Sequence, residues 1–435
     1  MKITELRKYG LLVLSAFVIW SCRPDNNPVA PQTEWLERTD GFQEKYELEQ
    51  LLVLSRHNIR TPMVAEGSDL YKLTNPDYQW FRWQDPASHL TAKGKRLEVK
   101  MGTFFREWLQ KKDFLARYSA NPSSFRFYAN AKERCQTTAR AFADALFPAV
   151  SATVEMNAAF DTMDPVFNPQ ITKLPAGFTE KARQEIADMM GDLDQAVASK
   201  YLLIERVIDV PHSTAYLNGE FTHFDALPSS VSYSLNAEPS MAGGLKKACT
   251  VADALVLQYY EELDDDKADF GHNLSDRDWL DITLVKEWYG QALFTPPSVC
   301  VNVAHPLLQE MLSELQNKNR VFTFLCGHDS NVGSVLASLQ TEEFDLPGTL
   351  EKKAPIGTKV IIEKFKGKDG VEYADIWMVY ASTRQLREES SLSYSQPPVA
   401  VRLKLGGLSA NADQLYRLQD VEQRFSSAIA AYDTL

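Results

Sequence analysis

The clearest patterning along the chain is a set of short, unbroken apolar runs that each end in a polar cluster. Leu51-Leu52-Val53-Leu54 closes on Ser55-Arg56-His57, as expected of a strand buried on both faces of a parallel sheet. Val321 to Cys326 has the same character and closes on Gly327-His328-Asp329. Phe125-Arg126-Phe127-Tyr128 reads as a third strand and leads into a helix on which Cys135, Ala139, Phe142, Ala143 and Leu146 recur at helical spacing. Ala304, Leu307, Leu308, Met311, Leu312 and Leu315 mark another amphipathic helix. Val360 to Phe365 and Tyr373 to Tyr380 flank Lys368-Asp369-Gly370, the pattern of a hairpin.

Residues 151–298 differ from what surrounds them, with helix-like segments, loops and few strand signals. The expected fold is therefore α/β: a three-layer core with a mostly parallel sheet flanked by helices, interrupted by an inserted, mainly α-helical cap. The core would comprise 41–150 and 299–435, with the cap at 151–298 between them. In open α/β sheets ligands bind outside the carboxyl ends of the strands. The polar clusters at 55–60 and 327–331 are thus candidates for one site despite their separation in sequence.

The N-terminus carries a different signal. Lys2, Arg7 and Lys8 precede an apolar run, Leu11 to Trp20, that is too short to span a bilayer. Residues 1–21 read as a signal peptide, and Ser21-Cys22 resembles the lipobox of bacterial lipoproteins, which makes Cys22 the acylated first residue of the mature chain. Residues 22–40 begin with a Pro- and Asn-rich stretch suited to a tether. The expected location is the periplasm or the outer membrane, with the lipid on Cys22 as the membrane contact.

The formal net charge is −12, and removal of Lys2, Glu5, Arg7 and Lys8 takes it to −14. Such an acidic surface argues against nucleic acid or an anionic membrane as partner. A phosphate substrate remains compatible, because a site needs only a local cluster of positive charge. Cys135, Cys249, Cys300 and Cys326 have no zinc-like spacing, and export leaves disulfides open, a Cys249–Cys300 pair among them. His89, His212, His223, His272 and His305 fall in no metal-ligand pattern.

Ser55-Arg56-His57-Asn58-Ile59-Arg60-Thr61-Pro62 is the strongest chemical signal. An R-H-x-x-R-x-P match arises by chance in a chain of this length about once in a thousand. A histidine nitrogen can attack phosphorus while guanidinium groups hold the non-bridging oxygens. Neighbouring arginines also disfavour imidazolium and keep His57 nucleophilic. Asp329 stands where a helix begins and reads either as an N-cap or as the acid that protonates a departing alkoxide. Arg134, at the third strand-to-helix junction, is a natural third guanidinium for a phosphate dianion, and His328 a second phosphate-binding histidine.

These motifs resemble the histidine acid phosphatases, branch 2 of the histidine phosphatase superfamily, and within them the glucose-1-phosphatase group. The likeness runs through Ser-Arg-His-Asn at 55–58, Leu90-Thr91-Ala92-Lys93-Gly94, Phe127-Tyr128-Ala129-Asn130, Thr162-Met163-Asp164-Pro165, Leu257-Gln258-Tyr259-Tyr260 and Gly327-His328-Asp329-Ser330-Asn331. The resemblance implies His57 as nucleophile, Asp329 as proton donor, and Arg56, Arg60, Arg134 and His328 as phosphate ligands. It further implies that Glu238, in Ala237-Glu238-Pro239, narrows the pocket from the cap. No metal and no organic cofactor is implied, since Arg and His supply the charge stabilisation. The expected substrate is a sugar phosphate, glucose 1-phosphate first. Two other readings stay open: a phytase acting on inositol polyphosphates, and a non-enzymatic surface lipoprotein binding glycans through some of its eight Trp.

Overall fold

The computed structural model describes residues 34–435 apart from 65, 66, 119, 120, 150 and 151. The expected signal peptide and Cys22 lie outside the described residues. The strands are Tyr46–Arg56 (β1), Phe125–Ala129 (β2), Val154–Glu155 (β3), Ser230–Ser232 (β4), Ser240–Ala242 (β5), Phe322–Gly327 (β6), Lys359–Gly367 (β7), Glu372–Tyr380 (β8), Val399–Arg402 (β9) and Tyr416–Arg417 (β10). Eight of them form one mixed sheet in the order β10-β8-β7-β1-β6-β2-β3, with β9 also paired to β8. β4 and β5 make a separate small hairpin.

The buried apolar runs build the parallel half of the sheet. β6 lies between β1 and β2 and is parallel to both, with Leu54 opposite Leu325 and Phe127 opposite Phe324. β7 and β8 are the hairpin around Lys368-Asp369-Gly370, and a connection that short returns the chain antiparallel. β7 also runs antiparallel to β1, so a mostly parallel arrangement holds for β3, β2, β6 and β1 and gives way to antiparallel pairing beyond them.

Alternation along β1 creates the three layers. Leu51 and Val53 pack with Phe104, Phe105, Trp108 and Phe142 on one face, and Leu52 and Leu54 pack with Leu307, Leu308, Met311 and Val335 on the other. Between β3 and β6 the helices Phe178–Met190, Leu193–Val207, Gly244–Glu261 and Asp276–Phe294 surround a core of their own, in which Tyr201, Ile204, Leu255 and Ile282 are buried. That core also takes in Ile59 and Leu97 from the segment that precedes it. No helix among the described residues is long and apolar enough to cross a membrane.

Candidate active site

The three carboxyl ends of β1, β6 and β2 lie side by side, because Arg56 is level with Gly327 and Ala129 with Cys326. Backbone bonds lock the loops that follow. His57 N–H donates to the Gly327 carbonyl at 3.0 Å, and Asn130 N–H donates to the Cys326 carbonyl at 2.9 Å. Gly327 is needed here: a Cβ would come within 2.4 Å of Asn331 Oδ1, the atom that accepts from the His328 N–H. This placement brings His57, Arg56, Arg60, Arg134, His328, Asp329 and Glu238 to the wall of one cavity of about 600 Å³.

The His57 ring is almost fully buried, and its Nδ1 lies 2.8 Å from the Asn58 carbonyl oxygen. A carbonyl accepts only, so Nδ1 carries the proton. Burial first, then the charges of Arg134, His328, Arg56 and Arg60, hold the ring well below the ordinary histidine value. The result is a neutral imidazole with an unprotonated Nε2. The loop carrying it is anchored by Asn58, whose Nδ2 donates to Glu98 Oε2 at 2.9 Å, and Glu98 forms a fully buried ion pair with Lys359 at 2.9 Å. Gly357, at φ +69°, leaves room for that amide.

The guanidinium groups differ in how they are held. Arg56 Nη1 bonds Glu351 Oε1 at 2.6 Å, and its Nη2 lies 3.1 Å from Asp329 Oδ2. Arg60 Nη2 bonds Asp253 Oδ2 at 2.9 Å. Arg134 projects from the first turn of the helix Glu133–Leu146 and is buried with no carboxylate partner among the described residues. Its Nε has no acceptor, and its Nη2 approaches His328 Nδ1 at 3.4 Å. Asn130 Nδ2 lies 2.8 Å from His328 Nε2, so an amide donor and a guanidinium donor meet the two nitrogens of this ring.

Asp329 is not the N-cap of the helix Asp329–Ser338: His328 occupies that position, and Asp329 is the first helical residue. Burial alone would raise its pKa, but the charges of Arg56, Lys286, His328 and Arg60 outweigh it and hold the carboxyl well below its usual range. About half of its side chain remains exposed. Glu238 is exposed at the cavity wall, and its pKa is raised by desolvation, partly opposed by His328, Arg134 and Lys132. Cys135, Cys249, Cys300 and Cys326 are all free thiols, so no Cys249–Cys300 bridge is present.

Reading the sequence missed Asp253, Lys286, Glu287 and Glu351, which also line the cavity. Asp253 had left a trace, as a charge inside the apolar run Val251-Ala252-Asp253-Ala254-Leu255.

A neutral imidazole with an unprotonated nitrogen, ringed by arginines and facing a carboxylate at a helix start, defines a site for phosphoryl transfer through histidine. The chain belongs to the histidine phosphatase superfamily (branch 2), whose family model matches residues 47–380, and it is a phosphoric monoester hydrolase. It is 31% identical over 409 residues to a glucose-1-phosphatase of Providencia rettgeri, covering 92% of this chain and 96% of that one. To the glucose-1-phosphatase of Salmonella typhimurium it is 32% identical over 391 residues, covering 88% and 93%. The phytase of Hafnia alvei in complex with myo-inositol hexakis sulphate shares the fold, with a TM-score of 0.80 at 22% identity over 88% of this chain and 98% of that one.

Proposed function

We propose that this protein removes the single phosphate of a sugar phosphate, with glucose 1-phosphate the leading substrate, through a phosphohistidine on His57. The observation that carries the reading is the Nδ1 contact of His57 to the Asn58 carbonyl, which leaves Nε2 as the attacking atom among three guanidinium groups. Nε2 attacks phosphorus, the bond from phosphorus to the sugar oxygen breaks, and that oxygen takes a proton from Asp329. Water then attacks the phosphohistidine and gives a proton to the Asp329 carboxylate, the bond from phosphorus to Nε2 breaks with its electron pair returning to the imidazole, and inorganic phosphate leaves. Arg56, Arg60, Arg134 and His328 hold the three non-bridging oxygens.

Charge balance explains how an ionised Asp329 becomes an acid. Before substrate binds, the charges of Arg56, Lys286, His328 and Arg60 keep the Asp329 carboxyl ionised. A bound phosphate dianion offsets that positive charge and adds negative charge beside the carboxyl, which raises its pKa and favours one proton on Asp329.

Glu238 favours a substrate with one phosphate over inositol polyphosphates, whose further phosphates would meet its carboxylate at the cavity wall. The same walls offer acceptors for sugar hydroxyls. Export through residues 1–21 and anchoring at Cys22 complete the proposal, placing the enzyme at the periplasmic or outer-membrane surface. Rates on glucose 1-phosphate, glucose 6-phosphate, phytate and 4-nitrophenyl phosphate test it, with glucose 1-phosphate expected to lead phytate. Glu238→Ala should raise the phytate rate relative to glucose 1-phosphate; faster phytate turnover by the wild type would overturn the substrate assignment.

A further inference from the structure

Lys286 lies on the helix Asp276–Phe294 and reaches the floor of the cavity with its side chain only 10% exposed. Its Nζ is 2.7 Å from Glu351 Oε1, the same oxygen that accepts from Arg56 Nη1 at 2.6 Å. It also lies 3.4 Å from Asp253 Oδ1, while Asp253 Oδ2 accepts from Arg60 Nη2 at 2.9 Å. One ammonium group therefore joins two carboxylates, and each carboxylate holds one arginine of the phosphate pocket. The other oxygen of Glu351 accepts from the Ile356 N–H at 2.8 Å and the Tyr260 hydroxyl at 3.3 Å, so its orientation is fixed independently of Lys286.

The chain Arg56–Glu351–Lys286–Asp253–Arg60 closes across four segments: β1 with its loop, the helix Gly244–Glu261, the helix Asp276–Phe294, and the stretch before β7. Buried ion pairs contribute little net stability, since desolvation offsets their attraction. A buried lysine at a cavity wall, shared between the two carboxylates that hold phosphate ligands, suits a role in the site better than one in the fold. Without it, Glu351 and Asp253 would be compensated by Arg56 and Arg60 alone, and those guanidinium groups would present less positive charge to an incoming anion.

We infer that Lys286 is a positioning residue of the phosphate pocket, acting through Glu351 and Asp253 to fix Arg56 and Arg60 and to leave their charge available to a phosphate dianion. The inference rests on the phosphatase reading given above and extends it to a residue that lies outside the R-H-x-x-R-x-P and Gly-His-Asp motifs.

The test compares Lys286→Met, Lys286→Gln and Lys286→Arg in the full chain, with thermal unfolding as the check on folding. Inorganic phosphate binding is measured by calorimetry, and kcat and KM are measured on 4-nitrophenyl phosphate. Lys286→Met and Lys286→Gln should weaken phosphate binding by at least about tenfold and raise KM in parallel, and Lys286→Arg should recover most of both. Gln keeps a donor to Glu351 without the charge, so a folded Gln variant decides the matter if the Met variant does not fold. Phosphate binding within about twofold of wild type in folded Met or Gln variants would overturn the inference, as would an Arg variant as impaired as Met. If the wild type binds phosphate in a Lys286-dependent way yet hydrolyses no ester, the phosphatase reading fails while this inference stands.

Discussion

Arg56 Nη2 lies 3.1 Å from Asp329 Oδ2, so the proposed proton donor is paired with a proposed phosphate ligand. The pairing couples two events. A dianion that binds Arg56 competes with Asp329 for the same guanidinium charge, and the carboxyl loses what kept it ionised. Binding of sulfate, a tetrahedral dianion, at mildly acidic pH should therefore take up close to one proton per site, measured calorimetrically in buffers of different ionisation enthalpy. Asp329→Asn should abolish the uptake. Proton-neutral binding by the wild type would break the link between anion and acid.

A general acid matters in proportion to how poorly the leaving group departs unaided, and such groups commonly contribute about 10²–10⁴-fold. Asp329→Asn should lose far more rate on glucose 1-phosphate than on 4-nitrophenyl phosphate when phosphoenzyme formation is followed in single turnovers. Equal losses would make Asp329 a binding residue and turn attention to Glu287.

Glu287 supplies a pH dependence of its own. Burial first, then the neighbouring Glu351, raise its pKa to about 7, against a bond of 2.9 Å from the Lys353 N–H. Because the folded value is raised, Glu287 is neutral below about 7 and adds a negative charge to the cavity above it. KM for an anionic ester should rise as pH passes through that value, and Glu287→Gln should flatten the rise. A Gln variant with the wild-type KM profile would assign the effect to another group.

Arg134 is the pocket's one proposed phosphate-binding arginine with no carboxylate partner among the described residues, and burial is the main cause of its lowered pKa. It therefore has no ion pair among the described residues that an arriving anion would have to displace. Arg134→Ala should cut kcat/KM by at least about tenfold on every phosphate monoester. Unchanged kinetics would remove Arg134 from the site.

The parallel strands and their terminal clusters were legible because they are local: an apolar run of four to six residues and the polar residues directly after it are contiguous in sequence. His57 and Asp329 could be read from such contiguity. Lys286, Glu351 and Asp253 could not, since each is a single charge in a different segment, and only the fold makes them neighbours. Periodicity also could not reveal that β7 pairs with β1, which turns half of the sheet antiparallel. A hairpin signal specifies its own two strands and says nothing of what lies beside them. The capping reading of Asp329 failed for a similarly local reason: the helix begins one residue earlier in its capping geometry, so His328 takes the cap and Asp329 faces Arg56.

The central claim is that Nε2 of His57 becomes phosphorylated. It is tested most directly by mixing the enzyme with labelled glucose 1-phosphate, quenching within a turnover in alkaline denaturant, where phosphohistidine survives, and mapping the label by peptide. The account predicts stoichiometric, acid-labile phosphate on the peptide that contains His57, and none in His57→Ala. Turnover without label on that peptide, or turnover by the Ala variant, would contradict it.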